Sequence, residues 1–159
     1  MALDDTIAVM ARVPILGLFG ADALRILAFS ADTRRAASGE LLFRKGERSD
    51  GGYVVLSGTV AVGRDDGRAP GEVVVGPGSL IGRIALFVRL QRNSTAIVRE
   101  DATLLRISPT LMRRVLQEFP NTAERMRDAL ADDLAELGDG LAAVQRTLDE
   151  LDARAAASP

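Results

Sequence analysis

The chain of 159 residues contains no cysteine and no histidine. Without cysteine there is no disulfide framework, no thiolate nucleophile and no thiolate cage for a metal. Without histidine the commonest general base and the imidazole pH switch are missing, and only carboxylates are left as metal ligands. No Walker loop, Ser–His pair or metal cluster is present either, so we do not expect an enzyme.

Charge and hydropathy exclude further classes of function. The formal net charge of −2 gives no general attraction to nucleic acid or to an anionic membrane. The apolar run at 13–29 is interrupted by charged residues and a proline, so no stretch is expected to span a bilayer or to act as a signal peptide. We therefore expect one cytoplasmic domain with no membrane partner and no direct nucleic-acid partner.

Between residues 40 and 107, short β-branched runs alternate with glycine-containing turns. The six candidate strands are 41–43, 53–56, 59–62, 72–75, 96–98 and 104–107, and the candidate turns are at Gly46, Ser57-Gly58, 63–67 and 76–78. Short strands separated by polar turns are typical of a β-barrel or jelly roll. The acidic turn Asp65-Asp66-Gly67 is interpreted as a hairpin tip, because Arg68 and Pro70 stand where a calcium loop needs further oxygen ligands.

The segment 76–98 interrupts the strands in the manner of an anion cradle. Gly82 permits a close approach of the backbone to a ligand. The stretch 84–88 has room for little more than one helical turn, whose free N–H groups would point at a ligand over Gly82. Arg92 is placed to supply positive charge from the far side of the loop, which favours a phosphate site.

These residues carry a resemblance to a known family. The run Gly82-Arg83-Ile84-Ala85-Leu86-Phe87, followed by Arg92-Asn93-Ser94-Thr95-Ala96, resembles the phosphate-binding cassette of cyclic nucleotide-binding domains, whose pattern is Gly-Glu-Leu-Ala-Leu, a short gap, then Arg-x-Ala-Thr-Val. Similar landmarks occur at 39–43, 46, 53–60 and 76–78, so the resemblance covers roughly residues 13–137. It implies an α+β fold: an antiparallel β-roll (double-stranded jelly roll) flanked by N-terminal and C-terminal helices.

The resemblance also implies a ligand site. In the family, the glycine and the small apolar residues after it offer N–H groups to the cyclic phosphate, the arginine neutralises that phosphate, and the glutamate binds the ribose 2′-hydroxyl. Gly82, Ala85 and Arg92 carry over directly and Thr95 fills the hydroxyl position, whereas Arg83 stands where the glutamate belongs. The expected ligand-binding set is Gly82, Arg83, Ile84, Ala85, Arg92, Asn93, Ser94 and Thr95. No cofactor is certain, and the expected ligands are cyclic AMP, cyclic GMP or another phosphorylated nucleotide.

Helical patterns flank the strands. Residues 1–35 are predicted to be helical from the recurrence of apolar positions. Ser108 is the predicted N-cap of a helix over 108–119, and Asn121 with Glu124 forms a predicted capping box that opens the final helix. In the family that the chain resembles, such helices pack beside the roll and move when ligand binds.

The final helix carries a heptad seam. Its apolar positions, at alternating gaps of four and three, are Leu130, Leu134, Leu137, Leu141, Val144, Leu148 and Leu151. A continuous helix would extend this seam over about 30 Å, at roughly 1.5 Å per residue. Gly138 and Gly140 oppose it, since each costs about 1 kcal/mol in a helix interior. We favour a homodimer through this helix, and the alternative is a single helix that packs its apolar stripe on its own roll.

The predicted organisation follows from these elements. Residues 1–137 form a cyclic nucleotide-binding-like domain, with N-terminal helices at 1–35, the β-roll at 36–107, a helix at 108–119 and the start of the final helix at 121–137. Residues 138–154 form the C-terminal dimerisation helix and 155–159 a frayed tail. The resemblance is to the sensory half of catabolite-activator-type regulators without their helix-turn-helix, so a transcriptional role would need a partner.

Two functions compete at this point. The first is a stand-alone sensor that binds a phosphorylated nucleotide in the roll and signals through its C-terminal helix; the second is a degenerate, ligand-free homodimeric interaction module. Arg83 separates them: it either joins Arg92 in a doubly cationic cup or turns onto a carboxylate such as Glu40 or Glu72 and plugs the pocket. The stretch 133–138 also lacks the hydroxyl that the family often offers to the base. We prefer the sensor, because the cassette keeps its length.

Overall fold

A computed structural model describes residues 2–64, 71–134, 146–151 and 153–154. Two helices come first, α1 (Leu3–Ala11) and α2 (Ala21–Ser30), with a 3₁₀ turn at Leu16–Leu18 between them. The strands are β1 (Asp32–Ala36), β2 (Leu41–Phe43), β3 (Gly52–Arg64), β4 (Gly71–Val75), β5 (Leu80–Ile81) and β6 (Ala96–Ile107), and a second 3₁₀ turn lies at Ile84–Leu86. Helices α3 (Pro109–Glu118) and α4 (Pro120–Leu134) follow, and residues 146–151 are also helical.

All six strands belong to one antiparallel sheet. Its order is β1-β6-β3-β4, with β2 also paired to β6 and β5 also paired to β3. The two long strands β3 and β6 therefore form the centre on which every other strand depends. The α+β antiparallel β-roll with helices on both flanks, as predicted from the sequence, is confirmed.

The predicted turn at Ser57-Gly58 is wrong, because β3 runs through it. The register with β6 shifts between Val55 and Val60, which marks an irregular, bulged stretch rather than a hairpin. Gly58 has a φ of +81°, and a Cβ at this position would overlap the Asp101 carbonyl oxygen of β6. Glycine thus lets β3 bend while it stays paired to its neighbour.

The predicted N-terminal helix extends too far. Residues 32–35, assigned to helix from the sequence, belong to strand β1, which pairs with β6 from Arg106 to Ala102. The chain leaves α2 at Ala31, whose ψ of 155° is extended. The last predicted helix starts one residue earlier than expected, at Pro120, which suits a first helical position.

The central strands separate two apolar cores. Val54, Leu56 and Ile107 face the helices and join a cluster with residues of α1, α2, α3 and α4. Tyr53 and Val55, one position away on β3, face the inside of the roll. This alternation is the period of two that a β-strand imposes, so one strand supports both cores.

The C-terminal helical segment packs onto its own chain. Leu148 and Leu151 are buried in the helical core with Met126 and Leu130. Arg127 of α4 donates a hydrogen bond through Nη2 to the Leu148 carbonyl oxygen at 3.2 Å and pairs with Asp149 at 3.4 Å. In one straight helix, residues 127 and 148 would lie roughly 30 Å apart.

Leu130 and Leu148 therefore do not lie on one straight helix in this structure. Leu130, Leu148 and Leu151 pack in the core of their own domain, as the alternative of an apolar stripe on its own roll predicts. Several predicted features lie outside the described residues, or have side chains outside them. They are the remaining seam positions, Gly138 and Gly140, the acidic hairpin at 65–67 and the tail at 155–159. Within the described part of the chain, no helix is long and apolar enough to cross a membrane.

Candidate functional site

The cassette starts at a glycine with a left-handed backbone. Strand β5 pairs with Tyr53 and Val54 of β3 and delivers the chain to Gly82, whose φ is +81°. The 3₁₀ turn follows at once, and its hydrogen bonds begin with Leu86 N–H to the Arg83 carbonyl at 3.3 Å. The N–H groups ahead of that bond lie at the open end of the turn, as at the start of any helix.

The second half of the cassette is held by another loop. Arg92 donates its backbone N–H to the Glu47 carbonyl at 2.7 Å and accepts from Gly46 N–H at 2.7 Å. Ser49 donates its N–H to the Leu90 carbonyl at 2.7 Å, and its Oγ accepts from Leu90 N–H at 3.0 Å. These four bonds position Arg92 through the backbone before its side chain makes any contact.

The Arg92 side chain is a buried cation. Only 5% of it is exposed. Its Nη2 donates to the Gly51 carbonyl at 2.7 Å and lies 3.4 Å from Asp50 Oδ1. Its guanidinium carbon stands 4.1 Å from the centre of the Phe43 ring, within range of a cation–π contact. Burial lowers the pKa of this guanidinium, while Tyr53 and Asp50 oppose that change.

Arg92 and Gly82 face each other closely. A Cβ built on Gly82 would lie 2.7 Å from Arg92 Nη1 and 3.4 Å from the Ala85 side chain. Glycine is therefore required twice at this position, by its φ and by the guanidinium beside it. The positive charge of Arg92 therefore lies beside the open end of the 3₁₀ turn. Positive charge next to free N–H groups is the arrangement that binds an oxyanion.

A cavity of about 500 Å³ opens over this arrangement. Its apolar lining comes from the strands and from the cassette: Phe43, Val62, Val73, Val75, Leu80, Ile81, Ile84, Ala85 and Leu90. Its polar lining consists of Arg83, Arg92, Asn93 and Ser94, with Gly82 between them. No carboxylate is among the described lining residues. The cavity can hold an anionic group at one end and an apolar or aromatic group at the other.

Seven of the eight predicted site residues line this cavity, and Thr95 does not. Thr95 Oγ1 accepts from Lys45 N–H at 3.0 Å, and the Thr95 carbonyl accepts from Gly63 N–H at 2.8 Å. These bonds tie the end of the cassette to two neighbouring segments. That the seven lining residues contact a ligand stays a prediction.

The structure also shows where the two alternative carboxylate partners of Arg83 lie. Glu72 pairs with Arg99 at 2.5 Å, and Glu40 pairs with Arg34 at 3.9 Å. Arg83 itself lines the roll cavity together with Arg92. Both of these carboxylates are therefore paired with other arginines.

Sequence reasoning missed the groups that hold Arg92. The Gly51 carbonyl and Asp50 lie about forty positions from Arg92, in a loop without a recognisable motif. The sequence assigned the valines of the cavity wall to strands. Side chains alternate between the two faces of a strand, and this alternation indicates which valines face the cavity. Val62 pairs with Val73 across β3 and β4, so both point to the same face.

The comparisons with known proteins agree with this geometry. The profile of the cyclic nucleotide-binding domain family matches residues 33–119, more than half of the chain. The chain belongs to this family.

Solved structures show the same fold. A cyclic nucleotide-binding-like protein from Brucella abortus is 30% identical, covers 72% of this chain and 99% of its own, and has a TM-score of 0.63. The N-terminal domain of a transcriptional regulator from Streptomyces coelicolor is 27% identical, covers 84% of this chain and 94% of its own, and has a TM-score of 0.72.

Curated relatives are longer than this chain. The CRP-like cAMP-activated global transcriptional regulator of Mycobacterium tuberculosis is 27% identical over 106 residues, which is 65% of this chain and 47% of the regulator. Relatives that carry phospholipase names match over only 8% of their own length. Domains of this family are generally regulatory rather than catalytic.

Proposed function

We propose that the chain is a regulatory sensor that binds a phosphorylated nucleotide in the roll cavity and signals through its C-terminal helices. Cyclic AMP and cyclic GMP are the first candidates, since a relative is named for activation by cyclic AMP. The observation that supports the proposal most is the buried guanidinium of Arg92 beside Gly82. A fold rarely buries a cation next to an open cavity unless an anion gains from it.

Contacts between the cassette and the helices support the signalling part of this proposal. Arg83 lines the roll cavity and, on its other side, a small cavity of about 140 Å³ against Ala129 and Leu130 of α4. Leu86 and Phe87 of the cassette belong to the same apolar cluster as Leu130. A ligand that moves the cassette would therefore change the packing of α4.

A thermal-shift screen tests binding directly. We would heat the full chain with cyclic AMP, cyclic GMP and cyclic dinucleotides, each over a wide concentration range. A ligand present at about 100 times its dissociation constant should stabilise the fold by about 2.7 kcal/mol. If none of these compounds raises the melting temperature, the proposal for these nucleotides fails.

Arg83→Glu sharpens the proposal. A ribose hydroxyl needs an acceptor, arginine is a donor only, and a hydrogen bond to a charged group contributes roughly 1.5–3 kcal/mol. We expect Arg83→Glu to tighten cyclic AMP binding by about 10- to 100-fold in calorimetry. Arg83→Gln is the matched control, because it removes the cation without adding a carboxylate. No detectable binding by a folded Arg83→Glu variant would favour the second function.

That second function is a ligand-free interaction module. It is supported by the contacts that Arg92 already makes, since the Gly51 carbonyl and the Phe43 ring satisfy much of the guanidinium without any ligand. Under this alternative, Arg92 is a purely structural residue. Loss of stability without any ligand effect in Arg92 variants would favour it.

The homodimer stays a prediction. Leu148 and Leu151 are used inside the chain, so a dimer in this conformation has to use other surfaces. Light scattering of the full chain at tens of micromolar would test it, and a monomer at that concentration would contradict it. The cytoplasmic location and the lack of a direct nucleic-acid partner likewise stay predictions.

A further inference from the structure

A second cavity, of about 440 Å³, lies where the end of the cassette, the start of α3 and the C-terminal helical segment meet. We call it the outer cavity. Its lining residues are Arg48, Phe87, Val88, Arg89, Pro109, Thr110, Arg113 and Thr147. Three of these eight are arginines, and none is a carboxylate. None of the three arginines lines the roll cavity.

The backbone brings two of these arginines together. Arg48 lies next to Ser49, which is 3% exposed and exchanges two hydrogen bonds with Leu90. Arg89 precedes Leu90, and Arg48 itself forms a β-bridge with Gln91. The two cations are therefore held near each other by hydrogen bonds between their loops.

The third arginine comes from a well-capped helix. The Ser108 side chain accepts the Leu111 N–H at 3.1 Å and fixes the first turn of α3. Arg113 follows on this helix and lines the same cavity as Arg48 and Arg89.

Within the described residues, no carboxylate pairs with the arginines of the outer cavity. Among the described residues, the ion pairs engage Arg34, Arg92, Arg99, Arg106 and Arg127. In that same part of the chain, Arg48, Arg89 and Arg113 form no ion pair and no side-chain hydrogen bond. Like charges that converge on one cavity repel each other, and a multivalent anion between them would reverse the sign of that interaction.

We propose that the outer cavity binds a small, multiply charged oxyanion of the oligophosphate class. Guanidinium groups match phosphate oxygens in a bidentate fashion, and three of them from three segments suit a ligand with several phosphoryl groups. A long polyanion such as nucleic acid is disfavoured by the net charge of −2. This site is separate from the roll cavity and does not depend on the function proposed above.

An occupant of this site would connect two parts of the molecule. Phe87 and Val88 directly follow the 3₁₀ turn of the cassette, and the Val88 N–H bonds to the Ile84 carbonyl at 3.2 Å. Thr147 belongs to the C-terminal helical segment. An oligophosphate held between them would couple the docking of that segment to the cassette, as a second input beside the roll cavity.

Calorimetry with inorganic tripolyphosphate on the full chain at low ionic strength tests the proposal. We expect saturable one-to-one binding, weakened by about tenfold in Arg113→Ala and in Arg48→Ala, since each loses charge-assisted hydrogen bonds. The matched control is Arg114→Ala, which removes an exposed arginine from the same helix outside the cavity and should stay within about twofold. All three side chains are exposed, so the variants should fold.

Four results would overturn the proposal. The first is no binding of tripolyphosphate at millimolar concentration. The second is an equal loss in Arg113→Ala and Arg114→Ala, which would indicate general attraction to positive charge. The third is a loss in Arg83→Ala, in the roll cavity, without a loss in Arg113→Ala; it would place the anion in the roll and leave the proposed sensor function standing. Tighter binding of single-stranded DNA than of tripolyphosphate would overturn the assignment to a small anion.

Discussion

The roll cavity and the outer cavity are both lined by arginine, but they differ in whether the arginine is buried or exposed. In the roll cavity, Arg92 is buried and held by the Gly51 carbonyl, Asp50 and the Phe43 ring. In the outer cavity, Arg48 and Arg113 are exposed and have no counter-ion within the described part of the chain. The charge of Arg92 lies in the protein interior, whereas the charges of Arg48 and Arg113 lie on the surface.

This difference separates structural from purely functional cations. A buried charge must be hydrogen-bonded and paired inside the protein, or folding would be strongly opposed. An exposed charge keeps its water, so nothing in the folding free energy requires its position. Substitution of Arg92 should therefore lower stability, whereas substitution of Arg48 or Arg113 should change mainly anion binding.

The largest effect is expected at the leucine that anchors one wall of the outer cavity. Leu148 is 1% exposed in the helical core, next to Thr147 of that wall. Leu148→Ala should lower the free energy of unfolding by about 2–5 kcal/mol, through lost burial and a residual cavity. Thermal or urea unfolding would measure it.

The neighbouring Glu150 provides the control for this test. It is exposed, and Glu150→Ala should change stability by less than about 0.5 kcal/mol. If Leu148→Ala is as mild as Glu150→Ala, the C-terminal segment does not pack on this core in solution. The outer cavity would then lose one wall, while the roll cavity would be unchanged.

The next effect is the loss of the buried guanidinium. Arg92→Ala leaves the Gly51 carbonyl without its donor and removes the contact with Phe43. An unsatisfied buried acceptor costs about 1–3 kcal/mol and a desolvated cation–π contact about 2 kcal/mol, so we expect a loss of roughly 2–4 kcal/mol. Chemical denaturation would measure this loss of stability.

Arg92→Lys is the companion variant for this measurement. Lysine keeps the charge but cannot reproduce the planar fork, so it should recover only part of the stability lost in Arg92→Ala. An alanine variant as stable as the parent would show that Arg92 is not a structural cation, and the contrast between the two cavities would disappear.

A smaller effect should follow from crowding the same guanidinium. Gly82 and Gly39 have similar left-handed backbones, with φ of +81° and +89°, so alanine strains both by a comparable amount. Only at Gly82 does the new Cβ meet Arg92 Nη1, at 2.7 Å, whereas at Gly39 it meets nothing within 4 Å. Gly82→Ala should therefore be less stable than Gly39→Ala by about 1 kcal/mol, the scale of one hydrogen bond. Equal losses of stability would mean that Arg92 moves away freely.

The sequence predicted the β-roll well, because its strands and turns depend on local signals. Glycine turns, β-branched runs and the Ser108 cap act over a few residues, and the structure places Gly82 and Arg92 side by side. The long-range features were not accessible in this way. The bulge at Gly58 depends on Asp101 of another strand, and the partners of Arg92 come from a distant loop.

The C-terminal region shows a different limit. The heptad spacing from Leu130 to Leu151 is compatible with a partner helix and with the chain's own core, since both require the same apolar stripe. The position of Leu148 beside Arg127 and the burial of Leu148 and Leu151 in the helical core distinguish them. The outer cavity was missed for the same reason, because its three arginines are far apart in sequence and meet only after folding.

The smallest effect completes the contrast between the cavities. Arg113→Ala should leave the free energy of unfolding within about 0.5 kcal/mol of the parent, because an exposed side chain without an ion pair to any described residue contributes little. Its removal also relieves repulsion from Arg48 and Arg89 across the outer cavity, so any change should be a slight gain at low salt that fades as salt is added. Unfolding curves at two ionic strengths, with Arg114→Ala as the control, would measure it. A loss above about 1 kcal/mol would mean that Arg113 is built into the fold as Arg92 is.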